Sequence, residues 1–117
     1  MIKTSVRSVT DAVNFLRQAS PEVPKAAVIL GSGVKVLDDL DQEKHLSYDQ
    51  VFGMSPGVAG HAGTLGLGKV AGKLTVVLRG RFHLYEGYDW DLVTLPARVL
   101  IEWGVPHLYL TNAALNG

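Results

Sequence analysis

The stretch "KAAVILGSG", Lys25–Gly33, holds a short apolar run, Ala26–Leu30, opened by Pro24 and closed by two glycines around a serine. A run this short between turn formers reads as a strand covered on both faces, the kind found in sheets with helical layers. Working outward, "SVRSVTDAVNFLRQASP" places Val6, Val9, Val13 and Leu16 at spacings of three, four and three, the stripe of an amphipathic helix that stops at Ser20-Pro21. After the glycines, Val34–Leu40 fits a short helix, and Asp41 to Gly63 reads as one long loop, polar first and then rich in Gly and Pro.

"TLGLGKV" and "KLTVVLRG" read as two strands of a hairpin turning at Ala71-Gly72. "WDLVTLPARVLIEWG" reads as a helix with Thr94 near its N-cap, Pro96 in its first turn and Gly104 past its end; Leu95, Val99, Leu100 and Trp103 form its buried side. "VPHLYLTNAA" is a further strand running into a turn. Helices alternating with short buried strands give an α/β fold, a mixed central β-sheet flanked by helices, in one domain over residues 1–117.

Composition narrows the function. Eleven basic residues balance eleven acidic ones, with no cluster of either, which argues against a nucleic-acid or membrane surface as partner. The absence of cysteine removes disulfides and thiolate metal sites and suits a reducing compartment. No apolar run approaches the roughly 20 residues of a membrane span, and the N-terminus has no signal-peptide pattern, so a cytoplasmic protein is expected. No spacing among the four histidines and the carboxylates resembles a metal site, and none is expected. His45, in a charged loop, and His107, entering an apolar strand, read as structural.

Four stretches could carry chemistry. Gly31-Ser32-Gly33 ends a strand, where backbone amides and a hydroxyl can meet an anion, although a GxG of this kind is more often a plain turn. "GRFHLYEGYD", Gly80–Asp89, is more demanding. Arg81, His83 and Tyr85 share one parity, so an extended strand end would line one wall with a rigid donor fork, an imidazole and a phenol, leaving Glu86 to orient a neighbour. A surface strand end remains the bland alternative. "GHAG" sets His61 in a glycine-rich loop, either an ordinary surface histidine or one that folds over a ligand. "TNAA", Thr111–Ala114, puts small residues at the carboxyl end of a strand, where open α/β sheets bind ligands.

Taken in order, "VILGSG", "GHAG", "GRFHLYEGY", "LPARVL..WGV" and "LTNAA" resemble the N-terminal part of the purine nucleoside phosphorylases, specifically the low-molecular-mass, trimeric class acting on inosine and guanosine. The resemblance implies the N-terminal half of the nucleoside phosphorylase fold and a reaction in which phosphate displaces the purine, giving free base and ribose 1-phosphate in purine salvage. It implies phosphate held by Ser32, Arg81, His83 and the amide of Ala113, ribose contacted by Tyr85, catalytic roles for His83 and Glu86, and a gating loop carrying His61. It implies no cofactor beyond inorganic phosphate as co-substrate, and a homo-oligomer.

Two local departures stand out: Val34-Lys35 follows Gly33, and "NAALNG" replaces the family's "NAAGG". Family chains run to well over twice this length, and their purine-binding residues lie beyond the "NAA" turn, so the chain reads as truncated. The alternatives are a non-catalytic phosphate- or nucleoside-binding fragment, half of a split enzyme, and a phosphorylase for xanthosine or methylthioadenosine. The methylthioadenosine branch fits "GRFHLYEG" poorly.

Overall fold

A computed structural model describes residues 6–30, 40–54, 63–82 and 87–111. The elements are α1 (Val9–Ala19), β1 (Ala26–Leu30), β2 (Asp41–Ser47), α2 (Tyr48–Phe52), β3 (Thr64–Val70), β4 (Lys73–Arg79), α3 (Trp90–Trp103) and β5 (Leu108–Leu110). The strands form one mixed sheet in the order β2-β3-β4-β1-β5. β1 runs parallel to both β4 and β5, whereas β2, β3 and β4 are joined antiparallel. Parallelism makes β1, β4 and β5 end on the same side of the sheet.

Alternation sorts the side chains by face. Ala27, Ile29, Leu65, Leu67, Val76 and Leu78 point to the face covered by the helices, where Val13, Leu16, Val99, Leu100 and Trp103 complete the main core. On the opposite face a smaller cluster of Leu30, Leu40 and Val77 forms, with Val28 packed against it. Ser8 starts α1 by accepting from the Asp11 amide at 3.1 Å. Val9, Val13 and Leu16 of the expected stripe lie in α1, but Val6 precedes the helix and is exposed.

Several local expectations need correction. Residues 41–63 are not one loop, because β2 and α2 occupy Asp41 to Phe52. The polar run "DQEKHLS" has no apolar alternation to betray it; it becomes a strand by pairing with β3, as an edge whose outer side faces water. The N-cap of α3 is Asp89, accepting from the Leu92 amide at 3.0 Å, and Thr94 instead donates its hydroxyl to the Trp90 carbonyl within the helix. Pro96 therefore sits in the second turn of α3, where its ring is buried against the core. His107 is exposed just ahead of β5. The segment expected as a helix after Gly33 lies outside the described residues except for Leu40, which is not helical.

His45, also taken for a loop residue, belongs to an ion-pair group. A bulge between Asp41 and Lys44, with Gln42 at φ 54°, twists the edge and lays Glu43 across β3. Glu43 Oε2 reaches Arg79 Nη1 of β4 at 2.7 Å, and Oε1 accepts from the Leu40 amide at 2.7 Å. His45 Nε2 stands 3.0 Å from the same carboxylate. The crossing is possible because position 66 lacks a side chain: a Cβ there would meet Glu43 Oε2 at 1.8 Å.

Burial pushes the Glu43 carboxyl up, but the Arg79 hydrogen bond, the Leu40 amide and the nearby charges outweigh it, leaving its pKa below the ordinary 4.5. A carboxylate with a depressed folded-state pKa contributes stability that is present above the unfolded value and is lost as pH falls through the folded one. Glu43→Gln should therefore lower stability by about 1–3 kcal/mol at neutral pH. Denaturant unfolding of both proteins should show that gap closing as the pH falls below 4.5.

Candidate functional site

β4 leaves the sheet at Arg79 and turns at Gly80, whose φ of 133° lies in the left-handed region that a side chain resists. The turn sends Arg81 back across the sheet ends. Its Nη2 donates to the Ile29 carbonyl of β1 at 3.3 Å and to the carbonyl of Thr111, which follows β5. One guanidinium thus joins the carboxyl ends of three parallel strands, and it is half-buried there.

The corner is held from below by an aromatic group. Tyr48, fully buried at the start of α2, donates its hydroxyl to the Gly80 carbonyl at 2.7 Å. Burial raises its phenol pKa far above 10.0, with the charge of Arg81 pulling the other way, so it remains a donor. Phe82 is buried and packs against the rings of Tyr48, Phe52 and Tyr88, with centroids at 5.9, 6.4 and 5.4 Å. Phe82 and Tyr88 flank residues 83–86 in the chain, so the two ends of the stretch that carries His83, Tyr85 and Glu86 are pinned to each other edge to face.

Of the residues expected in the site, Arg81 is the one among the described residues. Ser32, His61, His83, Tyr85, Glu86 and Ala113 lie outside them. In the chain Ser32 comes two residues after Leu30, the end of β1, and Ala113 two residues after Thr111, so both strands that Arg81 bridges lead directly into an expected phosphate contact. A cleft of about 680 Å³ lies elsewhere, between the starts of α1 and α3, lined by Arg7, Met54, Tyr88, Asp89 and Arg98 among others, and Arg81 does not border it. Among the described residues no group of three or more His, Cys, Asp or Glu side chains could hold a metal ion, and no helix is long and apolar enough to cross a membrane.

Reading the sequence for chemistry missed Tyr48 and Phe82. Phe82 carried a signal, since its parity is opposite to that of Arg81 and points it into the core. Tyr48 carried none, because it falls in the stretch taken for a loop.

No protein-family model matches the sequence. Purine nucleoside phosphorylase 1 of Geobacillus stearothermophilus is 44% identical over 110 residues, a match covering 92% of this chain and 40% of the relative. The purine nucleoside phosphorylase of Bos taurus is 39% identical over 106 residues, covering 89% of this chain and 37% of the relative. In three dimensions, the Schistosoma mansoni purine nucleoside phosphorylase in complex with inosine superposes with a TM-score of 0.80 at 36% identity, covering 91% of this chain and 38% of that one. Over nearly its whole length the chain is similar to part of the purine nucleoside phosphorylases. It spans about two fifths of the length of the curated relatives it matches, a share that fits the N-terminal part implied by its motifs.

Truncating the central ring of the aromatic group tests its role as an anchor. Phe82→Ala should lower stability by about 3–5 kcal/mol, read from denaturant unfolding, as expected for a buried ring whose loss leaves a cavity.

Proposed function

We propose that this chain forms the phosphate- and ribose-facing part of a purine nucleoside phosphorylase, whose reaction is the phosphorolysis of inosine or guanosine to free base and ribose 1-phosphate. The observation that carries the reading is the guanidinium of Arg81 at the joined carboxyl ends of β1, β4 and β5, in a chain whose relatives bear that name. Open α/β sheets take their ligands at such ends, and a planar donor fork suits an oxyanion.

In the proposed reaction a phosphate oxygen forms a bond to the anomeric carbon as the C–N bond to the purine breaks, and the electron pair of that bond leaves with the base. The sugar passes through a cationic, oxocarbenium-like state. Arg81, with His83, Ser32 and the amide of Ala113, would hold the phosphate beneath that carbon. Tyr85 would contact the ribose, Glu86 would orient His83, and the loop with His61 would keep out water, which competes with phosphate as nucleophile. No cofactor enters this chemistry.

The partial span favours a second reading beside the first: the chain binds phosphate by itself, while turnover needs the remaining three fifths of such an enzyme. A homo-oligomer in the cytoplasm belongs to the same proposal. Trp90, Ile101, Tyr109 and Leu110, large apolar residues exposed on α3 and β5, support the association.

Isothermal titration with inorganic phosphate, together with hypoxanthine release from inosine, tests both readings. Saturable phosphate binding is expected, weakened about 10- to 100-fold in Arg81→Lys, which keeps the charge and loses the fork. Equal binding by wild type and variant overturns the assignment of Arg81. Binding without turnover supports the fragment reading over the complete enzyme.

A further inference from the structure

We infer that Tyr48 is a positioning residue for phosphate, acting through the Gly80 carbonyl to aim the guanidinium of Arg81. This inference rests on the phosphate reading given above. Its hydroxyl bonds that carbonyl at 2.7 Å, one peptide ahead of Arg81, at a corner whose φ of 133° leaves the backbone without the support of a regular strand. A half-buried carbonyl beside an aromatic core is better with a donor, and Tyr48 supplies it.

The phenol is itself held on several sides. Its ring meets Phe52 edge to face at 4.9 Å and Phe82 at 5.9 Å, and it lies so close to Gly63 that a Cβ there would come within 2.4 Å of it. Its backbone amide donates to the Gly63 carbonyl at 3.0 Å. A donor fixed this firmly fixes the plane of the peptide between residues 80 and 81, and with it the direction in which the arginine leaves the main chain. From that start Arg81 reaches Ile29 and Thr111 at once, and a tilt of the peptide would be magnified along the side chain.

Tyr48→Phe removes the hydroxyl and keeps the ring. Titrated with inorganic phosphate well below its melting temperature, the variant should bind about 5- to 10-fold more weakly than wild type, the loss of roughly one hydrogen bond. Val13→Ala, a cavity in α1 that leaves the Tyr48 hydroxyl and the Gly80 carbonyl in place, should lower the melting temperature and leave the phosphate affinity unchanged. In an Arg81→Lys background Tyr48→Phe should add little further loss, because the group it aims is gone, whereas a residue that merely stabilises the fold would add its full effect. Should Tyr48→Phe fail to fold, ring carbon resonances of labelled Tyr48 in the wild type should shift in proportion to phosphate occupancy.

Unchanged affinity in Tyr48→Phe, proportional weakening in Val13→Ala, or a ring signal indifferent to bound phosphate each overturns the positioning role while the phosphate reading stands. Absence of phosphate binding by the wild type removes the phosphate reading, and the inference with it.

Discussion

Everything proposed for this chain depends on one arginine touching the ends of strands that are distant in sequence. Ile29 and Thr111 are separated by most of the chain, yet both carbonyls lie within reach of Arg81. That is possible because β4 and β5 flank β1 and all three run the same way, so their carboxyl ends share one rim. An antiparallel neighbour would have offered an amino end at that place. The topology therefore decides which strand ends meet at Arg81, before any side chain chooses a ligand.

Holding the rim in register falls to two contacts on opposite faces. On one face Glu43 spans β3 to grip Arg79, the last residue of β4, over the bare surface of Gly66. On the other, Tyr48 grips the next carbonyl, that of Gly80. The ion pair is a latch with little solvent around the carboxylate, whose side chain is only 5% exposed. Such a pair gains most from geometry, because the desolvation of two charges offsets much of their attraction. Its value here lies in placing the strand end as much as in stability.

How far the sequence foretold this varied with the physics that made each element. The helices α1 and α3, the strand Ala26–Leu30 and the hairpin at Ala71-Gly72 were legible because burial imposes a period on their apolar residues. β2 was not, since an edge strand of "DQEKHLS" is defined by its partner and a bulge rather than by its own pattern. The start of α3 was misplaced because Asp89 and Thr94 are both credible caps, and only the geometry shows which oxygen faces free amides. For the candidate site, Arg81 stood out in the sequence by its crowded setting, whereas Tyr48 lies in a segment that offered no chemical motif at all.

The alternation along β4 explains why the corner is a glycine. Val77, Arg79 and Arg81 share one parity, and Val76, Leu78 and Phe82 share the other and enter the main core. Position 80 belongs to the core-facing set, where another apolar side chain would be expected. Instead the chain bends there at φ 133°, and the phenol hydroxyl of Tyr48 comes to the carbonyl of that same residue. A side chain at 80 would sit on a backbone whose φ of 133° it resists. The core thus gives up one apolar contact at the strand end, and the backbone polar group left there by the bend becomes the handle by which the core orients the arginine.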